Sequence, residues 1–427
     1  MSANEKKKKT SNFTLKYSVY FGFIAIGIGL FHVLKSSDNE ESLLTELGSP
    51  PPWPIFIVLN ALAESFRRLA DKLTPPQIRM IEIGFSHHKI ALAYVVQKYK
   101  IADFIGDGRG PKTVDEIAEF TKTENVAYIE SLMYACASQG MFKLVEEKTF
   151  VNTGLSAVLR RDHPNSMAGL IGHQFESTYR AWGQVHKMFG PESSTAVFPL
   201  HHSESIHEQK NFYAKDHQLD EQFARAMNAL EGLGGLAMAA DGPFEKYSRF
   251  IDIGGSTGHF LIKLLNMYSI HGNTNTTGIL FERPLVIEMA RKKFDQELVK
   301  QKRVVFHAGD FFEVNSLPDF EDGDCVFMRN ILHNWNDKDA IKILENIRIK
   351  IGEKKVNILI GESAMPNRNS IGQQAVIHNI DMQMMVLYGA SERYPKYWEK
   401  LLNETRFQLL NIYHTRSIQA WIEAKPI

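Results

Sequence analysis

Phe250-Ile251-Asp252-Ile253-Gly254-Gly255-Ser256-Thr257-Gly258 reads as an apolar strand that breaks into a glycine-rich turn just before a helical run. Glycines let the backbone approach a ligand closely, and an acid immediately ahead of them suits a positive group better than a pyrophosphate. The dinucleotide fingerprint G-x-G-x-x-G is absent, because Ser256 stands two residues after Gly254, and this disfavours a dehydrogenase. The strand-then-break pattern recurs at TGILFE (277–282), VVFHAGD (304–310), CVFMRN (325–330) and NILIGES (357–363). Strands alternating with helices predict an α/β fold with a doubly wound, Rossmann-like sheet that binds ligands at its strand carboxyl ends. Glu282 ends the second strand, where an acid can accept hydrogen bonds from both ribose hydroxyls. Asp310 and Phe311 follow the third, offering an acceptor for an adenine amino group and a ring to pack against it. As an ordered set, these residues predict a nucleoside pocket.

Upstream, residues 55–241 carry helical apolar periods with short breaks, and Thr113-Val114-Asp115-Glu116 has the form of a capping box. A second helix is expected over about 124–139, and MFKLVEEKTFVNT (141–153) reads as two short strands around a charged turn. Helix, helix, hairpin suggests a winged helix. DNA binding is disfavoured, since the recognition-helix equivalent carries Glu124 and Glu130 and no basic residue. A packing or dimerisation module suits its apolar faces better. His87 and His88, adjacent and so on different helix faces, read as ordinary histidines rather than ligands.

At the amino end, a basic tail (1–16) precedes an uncharged apolar run, Tyr17 to Leu34, whose 18 residues would span ~27 Å as a helix. This predicts a single-pass signal anchor, with a linker over 35–54 and the globular body tethered to a membrane. The lysines before the run place the N-terminus in the cytosol and the body in a lumen, where sequons at Asn275 and Asn403 would be available. The side of the membrane is left open. The whole chain has 427 residues, 49 basic against 49 acidic, so no global field favours polyanions. Cys136 and Cys325 are the only cysteines, which excludes a disulfide framework and a Cys-rich zinc site.

From about Ile81 onward the chain resembles the class I S-adenosylmethionine-dependent O-methyltransferases of the caffeate and acetylserotonin type. The resemblance is carried by NFYAKDHQLDEQFARAMNAL, DIGGSTG, FERPLVI, HAGDFF, MRNILHNWND, ESAMP and YGASERYPKYWEKLLNETRF. It implies a dimerisation domain (55–241) and a methyltransferase domain (242–427). It implies that Gly254, Glu282, Asp310, Phe311 and Arg329 contact S-adenosylmethionine, with Asp252 supporting the methionine end. It further implies His333 as general base, flanked by Glu362 and Glu392, a homodimer, a small hydroxylated aromatic acceptor, S-adenosylhomocysteine as product, and no metal. Glu282 replaces the usual Asp, Ser256 a glycine, and Asn334 the common Asp after the histidine.

The chemistry suits those residue types. Methyl transfer from a sulfonium is an in-line displacement with an excellent leaving group, so the protein chiefly aligns the acceptor and takes its proton. An imidazole of intrinsic pKa near 6.5 is expected to be neutral at pH 7, with a carboxylate on its other nitrogen fixing the tautomer. Met382, Met384, Met385 and residues around His173 to Trp182 are expected as acceptor-pocket walls, although all are equally ordinary core residues. A nitrogen acceptor, and a cofactor-binding but catalytically silent protein, remain alternatives.

Overall fold

The structure, a computed structural model, describes residues 51–427 apart from 107, 109, 191–216, 271–274, 364 and 366–374. The described chain opens with six helices: α1 (Trp53–Leu73), α2 (Pro76–Gly84), α3 (Ser86–Lys98), α4 (Ile101–Ile105), α5 (Val114–Thr121) and α6 (Val126–Ser138). Prolines sit in the first turns of α1 and α2, where the missing N–H has no intrahelical partner to lose. The capping box opens α5: the Glu116 N–H donates to Thr113 Oγ1 at 3.2 Å, and the Thr113 N–H donates to Glu116 Oε2 at 2.9 Å. Strands β2 (Phe142–Glu146) and β3 (Thr149–Asn152) form the expected hairpin, and the short β1 (Lys112–Thr113) pairs with β3. Val96, Ile101, Ile117, Met133 and Phe150 are fully buried between these helices and the hairpin. By contrast, neither α1 nor α2 buries a single residue.

The strands read from the sequence are β4 (Arg249–Ile253), β5 (Thr277–Glu282), β6 (Val304–Ala308), β7 (Cys325–Arg329) and β8 (Asn357–Ser363). They run parallel in the order β6-β5-β4-β7-β8. Order reverses at β4, so the crevice beyond its carboxyl end is the topological switch point of the sheet. Two antiparallel strands, β9 (Phe407–His414) and β10 (Gln419–Pro426), complete the seven-stranded sheet beside β8, and they extend the expected parallel sheet. Helix α7 (His217–Asp241) lies against α8 (His259–Ile270), the helix that follows the glycine turn. One sheet face is filled by Phe250, Leu264, Phe327 and Trp421, the other by Ile251, Val326, Ile347 and Ile358.

The predicted membrane anchor and membrane localisation require correction. Among the described residues no helix is long and apolar enough to cross a membrane. The run Tyr17 to Leu34, with the tail 1–16 and most of the linker 35–54, lies outside the described residues. Nothing in the fold therefore supports a membrane-tethered body; the first described helix, α1, starts at Trp53.

Candidate active site

The histidine is presented by a short turn after β7. Asn330 takes a left-handed backbone conformation (φ 56°), which turns the chain sharply out of the sheet, and Leu332–Asn334 follow as a single 3-10 turn. Glu362, on neighbouring β8, fixes that turn: its Oε1 accepts from the backbone N–H groups of Ile331 (3.1 Å), Leu332 (2.9 Å) and His333 (3.4 Å). Strand register makes this inevitable, since β7 and β8 pair Arg329 with Gly361 and leave Glu362 level with the first residues of the turn. Arg393 closes the other side, donating from Nη1 to the Leu332 carbonyl and from Nη2 to the Trp335 carbonyl, each at 2.8 Å. Asn334, the departure from the family pattern, spends its amide on the Asn330 carbonyl at 3.0 Å, inside the turn.

Glu392 approaches from the segment between α11 (Ala375–Tyr388) and α12 (Pro395–Glu404); helices α9 (Pro284–Lys293) and α10 (Asp337–Ile351) lie earlier in the chain. His333 Nδ1 lies 2.7 Å from Glu392 Oε1 and 3.6 Å from Glu362 Oε2. The Glu392 N–H donates to Asp381 Oδ1 at 2.9 Å, so Asp381 on α11 sets where the carboxylate sits. Both glutamate side chains are wholly buried, whereas His333 keeps 12% of its side chain exposed.

Electrostatics change one expectation. Burial alone would push the His333 pKa down, but the charges of Glu362 and Glu392 and the hydrogen bond to Glu392 outweigh it, raising the imidazole to about 9. The free protein thus holds an imidazolium at neutral pH, not the neutral imidazole its intrinsic pKa suggested. Burial raises Glu362 above the ordinary carboxylate range. Burial also opposes ionisation of Glu392, but the imidazolium wins and lowers it. Sequence reasoning named these three residues; it did not find Arg393 or Asp381, which act on them through backbone groups and leave no chemical signature.

The other predicted residues gather at the switch point. Asp252, the penultimate residue of β4, is buried, and its Oδ2 has no hydrogen-bond partner among the described residues. Its carboxyl is raised well above the ordinary range by burial first and by Glu282 second, which puts the two acids within electrostatic reach of each other. Gly254 has φ +75°, and a Cβ there would stand 2.6 Å from Ile331 Cδ1 and 3.9 Å from the Phe311 ring. A Cβ on Gly255 would overlap Asp252 Oδ2. Glu282 Oε1 accepts from the Arg283 N–H at 2.8 Å, and Asp310 Oδ1 from the Phe312 N–H at 3.0 Å. Phe311 packs on Phe312 and Trp335, with ring centroids 5.1 and 5.9 Å away. Arg329 is the exception: its guanidinium is already paired with Glu231 of α7.

A buried carboxylate oxygen without a partner, facing a turn where even a methyl group would not fit, suits the ammonium of an amino-acid moiety and a ligand lying on bare backbone. Residues 182–408 match the O-methyltransferase domain family, and residues 83–162 match the O-methyltransferase dimerisation domain. The chain is 27% identical over 336 residues to 8-amino-8-demethylriboflavin N,N-dimethyltransferase of Streptomyces davaonensis, covering 78% of this chain and 90% of that one. It is 29% identical to phenazine O-methyltransferase PhzM of Lysobacter antibioticus, covering 78% and 92%. The crystal structure of LaPhzM superposes with a TM-score of 0.72 at 27% identity, over 83% of this chain and all of that one. Human N-acetylserotonin methyltransferase in complex with SAM shares the fold, with a TM-score of 0.72 at 19% identity over 83% and 99%. The cofactor is S-adenosyl-L-methionine, with S-adenosyl-L-homocysteine as its product, and no metal is needed. With the catalytic-domain match spanning more than half of its length, the chain belongs to the class I S-adenosylmethionine-dependent O-methyltransferase family that carries an N-terminal dimerisation domain.

Proposed function

We propose that the chain transfers a methyl group to a hydroxyl of a small aromatic acceptor, with His333 as the base. The observation that carries this is the 2.7 Å contact between His333 Nδ1 and Glu392, which commits one ring nitrogen and leaves Nε2 for the acceptor hydroxyl. S-adenosylmethionine, when bound, supplies the methyl group as an electrophile on a sulfonium. Asp252, Gly254, Glu282, Asp310, Phe311 and Arg329 hold it at the strand ends. His333 takes the hydroxyl proton at Nε2, and the charges of Glu392 and Glu362 stabilise the imidazolium so formed. Met382, which packs like Trp182, Val185 and Met188 against the buried cluster of Ala181, Val386 and Leu387, and Met384 and Met385 of the same helix give the acceptor an adaptable apolar wall. Residues 55–241 form the dimerisation region and 242–427 the catalytic region of a homodimer.

The test is turnover by the full chain against a panel of phenols and hydroxylated heteroaromatics. His333→Ala should cut transfer ~100- to 10,000-fold while leaving S-adenosylhomocysteine affinity nearly unchanged. A large loss of cofactor affinity in that variant would count against the assignment. A second reading, a nitrogen acceptor, is favoured by the similarity to the N,N-dimethyltransferase. It predicts aryl amines as better acceptors than phenols and a weak response to His333→Ala, since an amine attacks with its own lone pair. Cofactor binding without transfer to either class would indicate the catalytically silent protein.

A further inference from the structure

Arg329, Glu231 and Lys263 come from three elements, and their charged ends meet in one cluster. Glu231 lies on α7, Lys263 on α8 one turn after Phe260, and Arg329 ends β7. Glu231 Oε2 pairs with the Arg329 guanidinium, and Glu231 Oε1 accepts from Lys263 Nζ at 3.1 Å. The guanidinium lies over the Phe260 ring, 4.9 Å from its centroid, and its Nη1 is 3.4 Å from Gln419 Oε1. Two glycines make room for these side chains. A Cβ on Gly235 would overlap the Glu231 carboxylate, and one on Gly361 would stand 2.8 Å from Arg329 Cγ. Glu231 is 6% exposed, far too buried for a chance surface carboxylate.

We propose that Glu231 is a positioning residue for the cofactor, holding Arg329 and Lys263 in a fixed array that receives the carboxylate at the methionine end of S-adenosylmethionine. This rests on the reading that the cofactor lies at the ends of β4, β5 and β7. Two cations against one carboxylate leave one unit of positive charge in the cluster. Glu362, the other carboxylate felt by Arg329, is committed to the turn before and at His333. A preset guanidinium need not be ordered when the ligand arrives, and that saving is what the array provides.

The sign of the effect follows from the charges. Without the Glu231 carboxylate, Lys263 keeps only its 3.3 Å hydrogen bond to the main-chain carbonyl of position 231 and, being 27% exposed, has its charge screened by solvent. What Arg329 loses is the partner that orients it. Glu231→Ala should therefore weaken S-adenosylhomocysteine about tenfold. The double variant Glu231→Ala/Lys263→Met, which keeps the same net charge, should match it. The comparison ligand is 5′-methylthioadenosine, which has the same nucleoside and thioether but no amino-acid end, and its affinity should not move. Calorimetry on the full chain measures both. Equal weakening of the two ligands, or unchanged S-adenosylhomocysteine binding, overturns the proposal. Glu282→Ala tests the underlying site separately: it should weaken both ligands alike, and a failure to weaken either would overturn the placement of the cofactor rather than the role of Glu231 alone.

Discussion

The single proton that matters most is the one on His333. Because Glu362 and Glu392 raise this imidazole to about 9, a hydroxyl acceptor that must surrender its proton to His333 meets a mostly protonated base at pH 7. We expect kcat/KM to climb about tenfold per pH unit through the neutral range and to level near pH 9. Glu392→Gln removes a charge and exchanges an ionic hydrogen bond for a neutral one, so the plateau should begin at lower pH. A profile already flat from pH 6 to 9 in the unmodified protein would remove His333 as the titrating base. The same shift has a stability counterpart. A group whose pKa is raised from 6.5 on folding stabilises the native state fully below pH 6.5, and that contribution fades as pH rises through about 9. Thermal melting across this window should therefore show a slope that His333→Ala flattens. None of this was legible in Leu-His-x-Trp, because the shift depends on two glutamates that sequence places 29 and 59 residues away.

At the scale of elements, glycine turn and histidine turn respond differently to substitution. The first is crowded: Gly255→Ala drives a methyl group into Asp252 and Leu280, so the turn must open. Loss of S-adenosylhomocysteine binding with acceptor affinity retained is the expected outcome, and titration of both ligands checks it. The second is clamped. Arg393 bridges the Leu332 and Trp335 carbonyls and pairs with Asp337 Oδ1 at 2.9 Å, while its guanidinium lies over the Trp398 ring. Lysine carries the charge but not the fork. Arg393→Lys should cost about 2 kcal/mol of stability and lower kcat more than it weakens cofactor binding, measured by denaturant unfolding and steady-state kinetics. The strand-end acids could be read from the sequence because each follows an apolar run by a fixed offset. The clamp could not, since an arginine that donates to carbonyls looks like any surface arginine. Strands β9 and β10 escaped for a related reason: they pair antiparallel at the sheet edge, outside the strand-helix alternation that revealed the others.

Across the whole molecule, the least satisfied part of the described chain is its beginning. Helices α1 and α2 bury nothing, yet they carry Phe66, Leu69, Leu73, Met80, Ile81 and Ile83 in exposed positions. Exposed apolar side chains in this number are unfavourable in water, and they lead into residues 83–162, which match the dimerisation domain. A stable interface buries at least ~1,000 Å² in total, which two facing copies of such helices readily supply. The sequence showed that these segments were apolar and helical; their exposure among the described residues is what makes a second copy of the chain the expected cover. Sedimentation equilibrium should therefore return twice the chain mass. Replacing Phe66 and Ile83 together by glutamate places charges on that face without touching the methyltransferase sheet. The double variant should sediment as a monomer with its S-adenosylhomocysteine affinity intact. If it remains dimeric, α1 and α2 are covered by something other than the partner copy.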